Sequence, residues 1–120
     1  MAFRDFTSMS VWQKAHELLL EIYRLTDKFP GSEKFGMVSD MRRAANSVLH
    51  NIAEGFGRFE NRDKSRFYKI SRGSAYELIS QSKASCSLHY LNNDEMENLK
   101  SLSASIIDEL DLIIKSVESR

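Results

Sequence analysis

The chain has 120 residues, 42% of them hydrophobic and 28% charged, with 17 basic against 17 acidic side chains, one proline and one cysteine. That balance suits a single globular domain over 1–120 and excludes a disordered or low-complexity chain, and the lone Cys86 excludes an internal disulfide and fits a reducing, cytoplasmic setting. No run approaches the ~20 apolar residues of a membrane span, and Met1–Phe6 lacks the apolar core of a secretory leader.

The zero net charge is unevenly spread. Residues 1–40 carry 5 basic and 6 acidic side chains, residues 41–73 carry 8 and 3, and residues 74–120 carry 4 and 8. The middle third is thus basic by five charges between two acidic ends. Such a block either pairs with acids on neighbouring helices or meets an anionic partner.

The first predicted helix covers about 10–29. Ser10 with Gln13 matches a capping box. Val11, Ala15, Leu18, Ile22, Leu25 and Phe29 then recur at spacings of 4, 3, 4, 3 and 4, the seam of helices packed nearly parallel or antiparallel. Trp12, His16, Leu19 and Tyr23 form a second stripe. Pro30-Gly31 ends the helix.

The second helix is predicted over 39–56, with Ser39 as N-cap and Asp40 in the first turn. Its apolar residues, from Met37 and Val38 through Leu49 to Phe56, fill an arc of roughly 180°. A surface helix needs only about 100°. The extra width predicts two neighbours, its own bundle and a second subunit. Gly55 and Gly57 end it in a loop over 57–63.

The third helix is predicted over 63–91, capped by Asn61 or Asp63. Phe67, Ile70, Leu78, Leu88 and Leu91 alternate with Ser71, Ser74, Ala75, Ser82 and Ser85, and small inner residues let helices approach closely. Gly73 inside this helix costs about 1 kcal/mol relative to Ala, which points to close packing there. Asn92 with Glu95 is a second capping box, and Leu99, Ser103, Ile106, Leu110, Ile113 and Val117 repeat the 4, 3 spacing over 93–118. Four helices, short connections and no alternating strand pattern give an all-α, up-and-down antiparallel four-helix bundle.

Val11-Trp12-Gln13-Lys14-Ala15, Phe29-Pro30 with Glu33 and Gly36, Met41-Arg42-Arg43-Ala44-Ala45-Asn46-Ser47, Asn51-Ile52-Ala53-Glu54-Gly55 with Gly57-Arg58, Phe67, and Gly73-Ser74 with Glu77-Leu78 occur in that order. This series resembles the bacterial four-helix-bundle family encoded in intervening sequences of 23S ribosomal RNA genes, over about residues 3–91. The resemblance implies a left-handed bundle that assembles as a homopentamer. It extends to the accessory protein of diversity-generating retroelements, a pentameric barrel whose basic surface binds nucleic acid and a reverse transcriptase. Three positions depart from the family pattern. Asp40 stands where Gln is usual and puts an acid beside the arginines. Leu49 replaces a usual Pro, which removes an irregularity from the second helix, and Ser71 replaces Ala.

The candidate nucleic-acid-binding residues are Arg42, Arg43, Arg58, Arg62, Lys64, Arg66, Lys69 and Arg72, with Phe59, Phe67 and Tyr68 among them. Basic side chains neutralise phosphates, and aromatic rings stack on unpaired bases. Arg62, Arg66 and Lys69 share one side of the third helix. The competing reading pairs these cations with acids and puts Phe67 in the core. Asn46, Asn51, Glu54 and Glu77 are polar positions expected to make buried or interfacial hydrogen bonds, Glu54 to an arginine or a loop N–H.

No metal or other cofactor is expected. No Glu is followed by His three residues later, as di-iron bundles require, and His50 with Glu54 supplies too few ligands for zinc. His16, His89 and Cys86 are expected to be satisfied core or interface groups. There is no Glu-x-x-Glu pair for nucleotide-bound magnesium and no Walker-type loop, so an enzyme is not expected. The leading reading is a homo-oligomeric, non-enzymatic bundle that binds RNA or DNA. The alternative is a protein–protein adaptor, with a reverse transcriptase or another protein as partner.

Overall fold

A computed structural model describes residues 5–120; Met1–Arg4, part of the segment read for a leader, lies outside the described residues. Helix α1 spans Ser10–Thr26, α2 Met37–Gly57, α3 Asn61–Ser87 and α4 Asn93–Glu118, with single 3-10 turns at Phe6–Ser8 and Gly31–Glu33. No strand occurs among the described residues.

Polar pairs fix the topology. Arg43 meets Glu77, Ser47 meets Ser74, and the Ser71 hydroxyl donates to the Val48 carbonyl, so numbers rise on α2 as they fall on α3. The same inversion relates α1 to α2 (Tyr23 with Asn46, Thr26 with Arg42). It relates α1 to α4 (Ser10 with Glu109, Lys14 with Ser105) and α3 to α4 (Ser65 with Glu118, Arg72 with Asp111). The result is an antiparallel four-helix bundle 48 × 22 × 20 Å.

The apolar spacings become the core. Val11, Ala15, Leu18, Ile22 and Leu25 of α1 are buried, as are Leu99, Ser103, Ile106, Leu110 and Val117 of α4. Ile113 is half-buried, and Ile107 and Ile114 take up burial beside it. Burying each Leu or Ile stabilises the fold by about 1.5–3 kcal/mol. The inner seam of α3 is different: Tyr68, Ser71, Ala75, Leu78, Ser82 and Ser85. Serines gain little from apolar burial and need partners. Ser71 finds the Val48 carbonyl at 2.7 Å and Ser85 the Met41 sulfur at 3.6 Å.

Several local expectations are corrected. Ser10 and Gln13 form no capping box; Ser10 donates to Glu109 and Gln13 to the Thr7 carbonyl. Helix α1 stops at Thr26, and Phe29 is buried from the turn that follows. Helix α2 begins at Met37, two residues before Ser39, because the Glu33 carboxylate accepts the Met37 N–H at 3.0 Å and takes the capping role. The same carboxylate accepts the Tyr90 hydroxyl at 2.8 Å and so ties the α1–α2 connection to the α3–α4 connection. Helix α2 runs unbroken across Leu49. The Asn92–Glu95 capping box forms as expected.

Much of the α2 arc that the sequence reading assigns to a second subunit packs within the chain. Leu49 is buried, and Met37 and Val38 pack on the chain's own core. Phe56 meets the Phe6 ring at 6.2 Å. The N-terminal turn and the two flanking helices cover much of the arc; Met37, Val38, Ala53 and Phe56 stay half-buried, and among the described residues none of the large exposed apolar side chains belongs to α2.

Gly55 does not end α2. It lies inside the helix where the Tyr68 ring of α3 crosses, and a Cβ there would come within 2.7 Å of that ring. Gly73, expected to mark close packing, has nothing within 4 Å of a Cβ among the described residues and faces solvent. The α2–α3 connection is only 58–60, shorter than the predicted 57–63, because Lys64 N–H already bonds the Glu60 carbonyl. Helix α3 ends at Ser87. His89 takes the left-handed conformation, φ 65°, while Tyr90 N–H returns to the Ser85 carbonyl, a Schellman-type stop. Leu88 is left half-exposed and Leu91 is buried beyond the helix.

Candidate nucleic-acid interface

Helix α3 carries two seams. One is the inner, serine-rich seam. The other is its outward counterpart: Arg62, Arg66, Lys69, Gly73, Tyr76, Ser80, Lys83 and Ser87, at spacings of 4, 3, 4, 3, 4, 3 and 4. Every one of these eight residues is exposed. At 1.5 Å per residue the stripe is about 37 Å long. It holds four cations and no acid. The outward side of α4 has the opposite character, with Asp94, Glu97, Asp108 and Asp111 exposed against Lys115.

The structure divides the eight predicted basic residues by their engagements. Arg42 is built into the fold. Its Nε donates to the Thr26 hydroxyl at 3.0 Å and its guanidinium lies 4.5 Å from the Tyr23 ring centroid. Arg43 pairs with Glu77 across α2 and α3 at 3.2 Å, and Arg58 pairs with Glu54 one turn back at 3.0 Å. Lys64 donates to the Phe56 and Gly55 carbonyls, at 2.7 and 3.3 Å, and so closes the C-terminus of α2. Burial there pushes its ammonium pKa down, helped by the nearby Arg120 charge.

Lys69 pairs with Glu118 at 2.6 Å, and Arg72 with Asp111. The Lys69 ammonium, followed by the Ser65 hydroxyl, holds the Glu118 carboxyl below its ordinary range. Among the described residues, Arg62 and Arg66 make no ion pair. Together with Lys69, Ile70, Arg120 and the Lys69-paired Glu118 they line a groove of about 730 Å³ between the start of α3 and the end of α4.

The aromatic expectations also divide. Tyr68 is buried against Gly55 and its phenol pKa is raised by that burial. Phe67 is half-buried between the Arg58 and Arg66 guanidinium groups, each 4.5 Å from its centroid, so it is neither core nor a free platform. Phe59, in the α2–α3 connection, is 95% exposed. Tyr76, which the sequence reading passed over, is half-exposed on the outward stripe. So is Lys83, and the 4, 3 spacing that leads from Arg62 to both was present in the sequence.

None of the four polar positions is fully buried; Asn46 and Glu77 bond across helices, while Asn51 and Glu54 bond one turn away in sequence. Asn46 donates to the Tyr23 hydroxyl and to the Arg42 carbonyl, and Asn51 donates to the Ser47 carbonyl. Glu77 accepts from Arg43 and Gln81. Glu54 does bond an arginine, Arg58 one turn on, and its side chain is about half exposed in the single chain. His16 is exposed and stacks on Trp12 at 4.9 Å, and His89 is exposed at the end of α3, so neither is a core group. Among the described residues no three His, Cys, Asp or Glu side chains gather as a metal site, and no helix is long and apolar enough to cross a membrane.

The family model described as 23S rRNA-intervening sequence protein matches residues 7–111. The chain belongs to that family. As a 23S rRNA-intervening sequence protein it also shares its fold with a solved structure. This is a protein of unknown function from the S23 ribosomal protein family of Bacteroides thetaiotaomicron, 24% identical, with a TM-score of 0.81, covering 88% of this chain and 98% of that one. No curated protein matches the chain.

Proposed function

We propose that this protein is a non-catalytic bundle that binds RNA through the outward face of α3. The observation that carries the reading is the continuous exposed stripe from Arg62 to Lys83, four cations without an acid. The family's connection with ribosomal RNA intervening sequences favours RNA as the anion. Phosphate contacts of this kind position a nucleic acid without reading its sequence. Lys69 lends only part of its charge because Glu118 shares it, so Arg62, Arg66 and Arg120 dominate one end of the stripe.

Counterion release sets the test. Neutralising about three phosphates gives a logarithmic salt slope of about −2 to −3, so affinity for a structured RNA falls by tens of fold between about 50 and about 200 mM salt. Filter binding at the two salts measures this. Absence of retention at the lower salt, or retention indifferent to salt, would exclude the reading.

Self-association, up to the pentamer that the resemblance implies, finds only half-buried apolar side chains left on α2. The exposed apolar side chains on the helices include Leu20 of α1 and Leu112 of α4, 57% and 70% exposed, and assembly would have to use such scattered sites. Light scattering at micromolar concentration decides the state. A monomer that still binds RNA is sufficient for the proposed function.

A further inference from the structure

Gly73 has no packing reason to be glycine. It lies in the middle of α3 at a conformational cost of about 1 kcal/mol relative to Ala, and a Cβ there would touch nothing within 4 Å among the described residues. What the missing side chain does is open the helix surface beside Tyr76. A helical side chain leans back over the turn before it; the Tyr76 ring leans to Arg72 and stays more than 4 Å from where a Gly73 Cβ would stand. The Arg72 guanidinium, anchored by Asp111, takes one side at 5.2 Å from the ring centroid. Apart from its chain neighbours, no described side chain comes within 4 Å of where a Gly73 Cβ would stand. Lys69 follows one turn further along the same exposed stripe.

We infer that this notch seats one unpaired base of the bound RNA, stacked on Tyr76 above Gly73, with Lys69 meeting the adjoining phosphate. The inference rests on the proposed RNA reading and adds a preference for unpaired over fully paired RNA. A duplex keeps its base faces covered and offers the notch nothing, whereas every unpaired base has a free π-face. The Arg72–Asp111 pair holds the platform still, so little side-chain freedom is lost on stacking.

The test compares an RNA hairpin with an unpaired adenosine loop and a blunt RNA duplex of equal phosphate number, with 2-aminopurine in the loop as reporter. The intact protein should bind the hairpin more tightly and quench the reporter. Tyr76→Ala should weaken hairpin binding about tenfold, within the usual range for one stacked base, and abolish the quench while leaving duplex binding unchanged. Tyr76→Phe should restore both. Gly73→Ala should raise the melting temperature yet weaken hairpin binding severalfold. Tyr76→Ala that binds and quenches like the parent, with binding still lost on Arg62→Glu, would overturn the notch and leave the basic face standing. Failure of the parent protein to bind either RNA would remove the basic-face reading itself. A change of oligomeric mass in Gly73→Ala would instead place Gly73 in a contact between copies and overturn the inference.

Discussion

Gly55 and Gly73 each sit inside a helix beside a tyrosine of α3, and their surroundings are opposite. At Gly55 the Tyr68 ring fills the gap, so the glycine is the contact that lets α2 and α3 meet. At Gly73 the gap is empty and Tyr76 flanks it in solvent. One glycine serves packing within the chain; the other costs helix stability with no internal return. A residue that weakens the fold without packing against anything points outward for its purpose.

The sharpest break of that comparison is Gly55→Ala. The added methyl would meet an aromatic ring held in a buried seam, and overpacking of this kind costs about 1–3 kcal/mol. Urea unfolding should show the loss, and Tyr68→Leu combined with Gly55→Ala should recover part of it. Gly73→Ala should do the reverse and stabilise by about 1 kcal/mol, because Ala gains helix propensity in open space. If both substitutions destabilise, the contrast between the two glycines fails.

Smaller effects test the periphery. Glu54→Ala removes an exposed i, i+4 pair with Arg58, so its cost should be about 0.3–0.5 kcal/mol, small against either glycine change. Thermal melting measures it, and a loss above about 2 kcal/mol would show that Glu54 is buried in an assembly. Acid stability reports on Glu33 and Glu118. The Met37 N–H and then the Tyr90 hydroxyl hold the Glu33 carboxyl down, as Lys69 and then Ser65 hold that of Glu118. Each carboxyl ionises more readily folded than unfolded. Its stabilisation is present above the ordinary glutamate value of about 4.3 and drains as pH falls through the lowered value. Melting temperature should fall less steeply with acidification below about pH 4.5 in Glu33→Gln than in the parent.

The α1 and α4 seams were legible because large apolar residues recur at heptad spacing and little else competes for that signal. The Asn92–Glu95 cap was legible because both halves of the box are polar and adjacent. Helix α3 was harder to read. Its buried residues are mostly Ser and Ala, so Phe67, Ile70 and Leu88 drew attention to positions that turn out half-buried or exposed. The start signal at Ser39 misled because Glu33, four residues before Met37, takes the capping role instead. Seven of the eight basic residues lie on α2 and α3 and Arg58 just past the end of α2, but sequence spacing does not reveal that Arg42 is built into the fold or that Arg43 and Arg72 face acids on neighbouring helices. The outward stripe required the same 4, 3 count applied to polar residues, and it was missed beyond Lys69 because Gly73 and Tyr76 carry no charge.

The most direct measurement is RNA binding by the double variant Arg62→Glu, Arg66→Glu against the parent across a salt series. Both side chains are exposed and make no ion pair among the described residues, so melting temperature should change little. Affinity for a structured RNA should fall by more than about tenfold and the salt slope should shrink by about 2. A variant that stays folded and binds with the parent's affinity and slope would contradict an RNA-binding face on α3.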